Sequence, residues 1–398
     1  MKTNQSIDID GANRGLFGPK YPPAEADYLR RHVVKMADGK FEHSGEFWTS
    51  AADVEKLFGS HLPTALRAAK AAKRPLRVLF WAHGGLVSEQ DSLRYVLDYG
   101  KLWESVGIYP VYFVWKTGVL DAFGSLMGGS GQRGWFADMT SDPMLELALR
   151  GAATTVWSAI KNIAAAACAP GGGASVAAEA FRKFHDANRA EVECYAAGHS
   201  AGSIFHGHWL PKLAAANIPV RELFLLAPAA TVELFTEKLQ GLIGGNKGIA
   251  KCSMFTMTED AERHDTVKSI YRKSLLYFVS RACEARAEQP ILGLTENLRV
   301  DPAMRVFWGF DPVRAAAGEM VSSPNRVRAG PRASNSTSHG DFDNDPDTLN
   351  SLARRITGNA AVGPFNEKNT PRSWSAGANA GGGAEIAPAP LQALNVTI

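Results

Sequence analysis

The pentapeptide Gly198-His199-Ser200-Ala201-Gly202 carries the spacing of a serine nucleophile. Residues 191–197 before it read as a strand, and those from Ser203 onward read as a helix start. A sharp strand-to-helix turn would lift the Ser200 hydroxyl clear of the backbone. It would also aim the next N–H, that of Ala201, at a developing oxyanion. Flanking glycines suit such a turn, because strand and helix approach there without room for side chains.

A serine hydroxyl is a weak nucleophile and needs a base to take its proton. In a strand–elbow–helix arrangement the chain order is serine, acid, histidine. That order leaves four of the ten histidines: His206, His208, His264 and His339. His206 and His208 ride on the helix leaving the elbow, too close in sequence to fold back onto Ser200. His264 lies where the acid belongs. His339 remains, in a loop ahead of a helix signalled by Asp345 as N-cap and Pro346 at the first helical position. The acid is expected in Thr258-Glu259-Asp260-Ala261-Glu262-Arg263-His264-Asp265, after a strand at 252–257. Asp260, nearest the strand end, is the first choice; Asp265 is second, and Glu262 stays open.

A second oxyanion donor should come from the loop after an earlier strand. His83-Gly84-Gly85-Leu86 follows the apolar run Val78–Ala82, and bare backbone there would let Gly85 N–H (or that of Leu86) join Ala201. His83 is expected to hydrogen-bond this loop rather than act as a base. Other chemistries fit less well. The His206-x-His208 pair points to different helix faces. The alternating Asp341, Asp343, Asp345 and Asp347 have Pro346 and Leu352 where a calcium loop needs Gly and Glu, so capping and solvation account for them. The glycine-rich stretch Gly124, Gly128, Gly129, Gly131 and Gly134 lacks the lysine of a phosphate loop.

The elements that must position these residues are strands alternating with helices. Strands are expected at 78–82, 108–115, 191–197, 223–226 and 252–257. Helices are expected at 51–57, 62–72, 89–105, 143–168, 174–188, 202–215 and 231–243, with Ser50 as a cap for the first. This rhythm means an α/β fold, with a mostly parallel central sheet and helices on both faces. Residues 1–73 read as an N-terminal extension packed on the core and 74–358 as the catalytic domain. Residues 118–189 read as a helical insertion that could form a lid, and 359–398 as a flexible tail.

The 398 residues include 43 basic and 40 acidic ones, a net charge of +3 that argues against a nucleic-acid partner. Cys168, Cys194, Cys252 and Cys283 lack metal-type spacing. Cys194 and Cys252 fall in expected strands and read as buried thiols, which suits a reducing, cytoplasmic setting, while two bridges among the four are the alternative. The N-terminus has no apolar signal core, and no run reaches the ~18 apolar residues of a spanning helix.

With these parts assembled, the chain resembles the α/β-hydrolase superfamily of serine hydrolases. The likeness rests on His83-Gly84-Gly85, Gly198-His199-Ser200-Ala201-Gly202, the acidic loop at 258–265 and His339-Gly340. The resemblance implies an eight-strand-type, mostly parallel sheet with the site at the strand C-termini. It implies acyl transfer to water through an acyl-serine, without a cofactor or metal. The function expected is hydrolysis of a carboxylic ester, small or lipid, with a hydrophobic acyl group. Thioesterase, amidase or acyltransferase chemistry on the same triad is the alternative, as is a non-catalytic binding protein of this fold.

Overall fold

The structure, a computed structural model, describes residues 21–43, 45, 47–116, 142–267 and 271–370. The glycine-rich stretch, residues 118–141 of the expected insertion and 371–398 of the expected tail lie outside the described residues.

Seven parallel strands form one sheet: β1 (Val33–Ala37), β2 (Leu76–Ala82), β3 (Ile108–Lys116), β4 (Val192–His199), β5 (Val220–Leu226), β6 (Ile249–Met257) and β7 (Gly318–Ser323). Their order is β1-β3-β2-β4-β5-β6-β7. Every pairing is parallel, in keeping with the mostly parallel sheet expected, and among the described residues the strands number seven rather than eight. Side chains alternate across it. Val78, Phe80 and Ala82 of β2 enter one core and Leu79 and Trp81 the other. The near-continuous apolar runs of the central strands follow from burial on both faces.

Helices cover both faces. Leu93, Val96, Tyr99 and Trp103 of the helix Glu89–Ser105 share one core with Leu349, Leu352 and Ile356 of the helix Pro346–Thr357. The opposite core takes side chains from Leu62–Ala71, Asp142–Cys168, Gly173–Ala187 and Gly202–Ala215. The two helices expected as an insertion are thus part of the layer over the sheet. Trp157, Ile160, Phe181 and Phe184 are buried there. Arg150 ties the first of them to the carbonyls of Arg281 and Glu284.

Local signals set the helix starts. Ser50 and Asp53 form a capping box, Ser88 caps Glu89–Ser105, and Asp345 with Pro346 opens the last helix. The extension at 1–73 supplies β1, an edge strand of the sheet. Residues 359–370 are not a loose tail, because Phe365 is buried against Tyr99 and Trp103. Among the described residues, no helix is long and apolar enough to cross a membrane.

The strand order fixes where a site can form. The chain leaves β2 for β3 on one side, then returns across β2 to β4 on the other. The crevice outside the C-terminal ends of β2 and β4 is the switch point, where open parallel sheets bind ligands.

Candidate active site

Ser200 sits at that switch point, on the turn between β4 and the helix Gly202–Ala215. Its φ is +53°, a left-handed conformation unusual for a residue with a side chain. The surroundings hold it there. Its N–H donates to Leu226 O at 2.9 Å, and its carbonyl accepts from the N–H of Ser203 and Ala229 and from Ser203 Oγ. The flanking glycines are required by contact. A Cβ on Gly202 would fall into the backbone of Ala82, 2.9 Å from its carbonyl carbon. A Cβ on Gly198 would lie 2.7 Å from the carbonyl carbon of Gly202.

His339 opens a short 3-10 turn, and its Nε2 lies 2.9 Å from Ser200 Oγ. Both residues are buried. Burial pushes the His339 imidazole well below its usual value, and the neighbouring His199 ring pushes the same way. At neutral pH the ring is therefore uncharged, with Nε2 facing Ser200 Oγ.

The carboxylates of the 258–265 loop divide. Asp260 is not brought to His339: its side chain is 88% exposed, and its partner is His264 on the same short helix. Glu262 is buried without a hydrogen bond to His339, and burial pushes its carboxyl up to about 8. Asp265 does arrive. Its Oδ2 accepts the main-chain N–H of His339 at 3.0 Å, and its Oδ1 accepts that of Thr266 at 2.8 Å. The helix Glu259–His264 explains the difference. It begins beside the strand and ends at Asp265, so Asp260 lies on its outer face while its C-cap meets the base loop. Burial raises Asp265 to about 6, against the pull of its two main-chain donors. The bond goes to backbone, however, and Nδ1 of His339 has no hydrogen-bond partner among the described residues.

The His83-Gly84-Gly85 loop lies over the elbow. A Cβ on Gly85 would come 3.1 Å from Ala201 Cβ, and one on Gly84 would come 3.4 Å from Ser200 Cβ. Ala201 caps the helix, and among the described residues no hydrogen-bond acceptor takes its N–H. His83 laces the loop to β3. Its Nε2 accepts Trp115 N–H at 3.2 Å, so the proton is on Nδ1, which donates to Gly84 O at 2.6 Å. Burial pushes this ring down to about 4. His206 is likewise buried and bonded to Ala197 O, away from Ser200.

Two further residues belong to the site and were not singled out from sequence. His199, the residue before the serine, has Nε2 2.9 Å from His339 O and Nδ1 3.2 Å from Asp343 Oδ2. Asp343 is in turn held at its carbonyl by Tyr95 Oη. A histidine inside the pentapeptide was the available signal; nothing in the sequence singles out Asp343 among its acidic neighbours.

A cavity of about 80 Å³ adjoins Ser200 and His339. Trp81, Leu86, Tyr95, Val96, Tyr112 and Val114 line it, with Asp91, Ser92 and Asp343 as polar members. Among the described residues no group of three His, Cys, Asp or Glu side chains could hold a metal ion. No family model and no curated protein matches this chain.

Proposed function

We propose that this protein is a serine hydrolase of α/β-hydrolase type that cleaves carboxylic esters with a hydrophobic acyl group. The observation that carries the reading is the 2.9 Å contact between Ser200 Oγ and His339 Nε2 at a strained, buried strand-to-helix turn. A nucleophile hydrogen-bonded to a neutral imidazole is the working unit of acyl transfer.

In this reading Ser200 gives its proton to His339 Nε2 while Oγ attacks the ester carbonyl carbon. The carbonyl oxygen gains the charge and meets the N–H groups of Ala201 and Gly85. Collapse expels the alcohol, which takes the proton from Nε2. A water then gives its proton to His339 and attacks the acyl carbon; Ser200 Oγ leaves and recovers the proton. Asp265 holds the base through its main chain. The cavity walled by Trp81, Tyr112 and Val114 suits an apolar acyl chain. The four free, buried cysteines suit a reducing compartment.

A panel of p-nitrophenyl esters of increasing acyl length tests the proposal. Turnover should be present in the wild type and lost in S200A and in H339A. A folded wild type inert to every ester would overturn it. The bare Nδ1 of His339 favours a second reading, a binding protein with an idle serine, and that reading predicts the inert result.

A further inference from the structure

Among the described residues, the ring nitrogens of His199 meet two oxygens. Nε2 lies 2.9 Å from the carbonyl oxygen of His339, which can only accept. Nδ1 lies 3.2 Å from the carboxylate of Asp343. A proton on Nε2 makes the hydrogen bond to the His339 carbonyl. A second on Nδ1, which makes no hydrogen bond of good geometry, gives the ring the charge that pairs with Asp343 across 3.2 Å. The pair is enclosed, with His199 5% exposed. It is also covalently continuous with the nucleophile, since His199 is the residue before Ser200.

The base loop is therefore gripped from two sides. Asp265 holds the N–H of His339 and His199 holds its carbonyl. Tyr95 fixes Asp343 from the helix Glu89–Ser105. We propose that His199 and Asp343 form a positioning pair, with His199 as an imidazolium, that sets the distance between the nucleophile turn and the base. The inference rests on the serine-hydrolase reading and deepens it. Neither residue touches the reacting atoms; each acts through the main chain of His339.

The charges around His199 agree. Burial alone would lower its imidazole, but Asp343, the His339 carbonyl and Asp341 outweigh it and hold it above its usual value. His83, which also faces it, is bonded to Gly84 O and Trp115 N–H in neutral form. Burial lowers the His339 imidazole, and the charge on His199 lowers it further and so keeps that ring neutral. Paired with Asp343, His199 also supplies a charge-assisted donor to the carbonyl of His339.

The test compares H199Q, H199N and D343N in hydrolysis of p-nitrophenyl butyrate, together with the ¹⁵N imidazole spectrum of the wild type. Glutamine can present its amide N–H near the place of Nε2 and asparagine cannot. H199N should lose about tenfold or more in kcat with KM nearly unchanged, as expected for a base displaced from its nucleophile. H199Q should recover most of that loss. D343N should lower kcat and convert His199 from doubly to singly protonated. The wild-type spectrum should show both His199 nitrogens protonated at neutral pH. H199N with wild-type kcat, H199Q no better than H199N, or a neutral His199 would each overturn the inference while leaving the hydrolase reading in place. A wild type inert to the ester would overturn the hydrolase reading and this inference with it. Should H199N fail to fold, the spectrum and D343N carry the test, and either a neutral wild-type His199 or D343N with wild-type kcat overturns the inference.

Discussion

Asp265 provides the sharpest test of how the base is held. Its carboxylate accepts two main-chain N–H groups, from His339 at 3.0 Å and Thr266 at 2.8 Å. Asn in its place offers one oxygen, so one of the two donors meets an amide N–H instead. Losing a hydrogen bond to a charged group costs about 1.5–3 kcal/mol. If that cost falls on the placement of His339 in the transition state, kcat/KM should drop about ten- to a hundredfold. The pH dependence has a defined sign. Burial raises Asp265 to about 6, so above that value it is a carboxylate with two acceptors. Below it the group is protonated, and one oxygen becomes a donor facing an N–H. His339 lies well below its usual value and stays neutral through this range. Wild-type kcat/KM should therefore fall as pH drops through about 6, and D265N should lack that limb. The assay is ester hydrolysis followed across the acid range. A D265N enzyme that keeps the wild-type limb would refute the reasoning. So would a loss near 10⁴, the size expected when an acid holds the imidazole ring itself.

The remaining predictions are independent of that one. D260N should leave kcat/KM within about twofold of wild type, since an exposed side chain away from the site rarely matters; a large loss measured in the same assay would return Asp260 to the triad. Gly202→Ala should destabilise the fold by about 3 kcal/mol or more, because its Cβ meets backbone rather than a side chain that can move; a urea midpoint equal to wild type would contradict this contact. For Glu262, burial raises the folded value to about 8 from an ordinary 4.5, so the folded state keeps a proton that the unfolded chain releases. Stability should then decline as pH rises between those values, by roughly 1.4 kcal/mol per unit at most. E262Q should flatten that decline and exceed wild type in urea unfolding at alkaline pH; parallel pH profiles would count against it. Leu86→Trp, at the cavity wall, should depress hydrolysis of long acyl esters about tenfold relative to short ones; an unchanged ratio would place the acyl chain elsewhere.

Much of the frame is legible because burial on both faces leaves a plain apolar mark. The runs at Val78–Ala82, Ile108–Trp115 and Cys252–Met257 could be read as strands on that basis. The two edge strands could not. β1 carries Lys35 at its centre, and only the fold supplies that buried amine with Glu89 at 2.9 Å and Phe47 O at 2.7 Å. β7 reads Gly-Glu-Met-Val-Ser-Ser, polar and short, as edge strands often are. The helices at 142–187 look peripheral in sequence because a long stretch separates them from β3. Their buried Trp157 and Phe181 show them to be part of the core layer.

In the site, Ser200 and His339 were accessible because their roles constrain chain order and local turn. The choice between Asp260 and Asp265 depends on how six residues of helix turn, and closeness to the strand was a poor guide to it. His199 stands at the variable position of the pentapeptide, where residue type alone does not mark a role. Its significance lies in what its ring nitrogens meet, and one of those partners is a main-chain carbonyl 140 residues away.

The central claim is that Ser200 is an activated nucleophile. Intact-mass analysis after exposure to a fluorophosphonate tests it most directly, since the reagent phosphonylates an activated serine without regard to acyl specificity. The account predicts one adduct per chain in the wild type, mapped to Ser200, and none in folded S200A. A folded wild type that takes no adduct, or an adduct that persists in S200A, would contradict it.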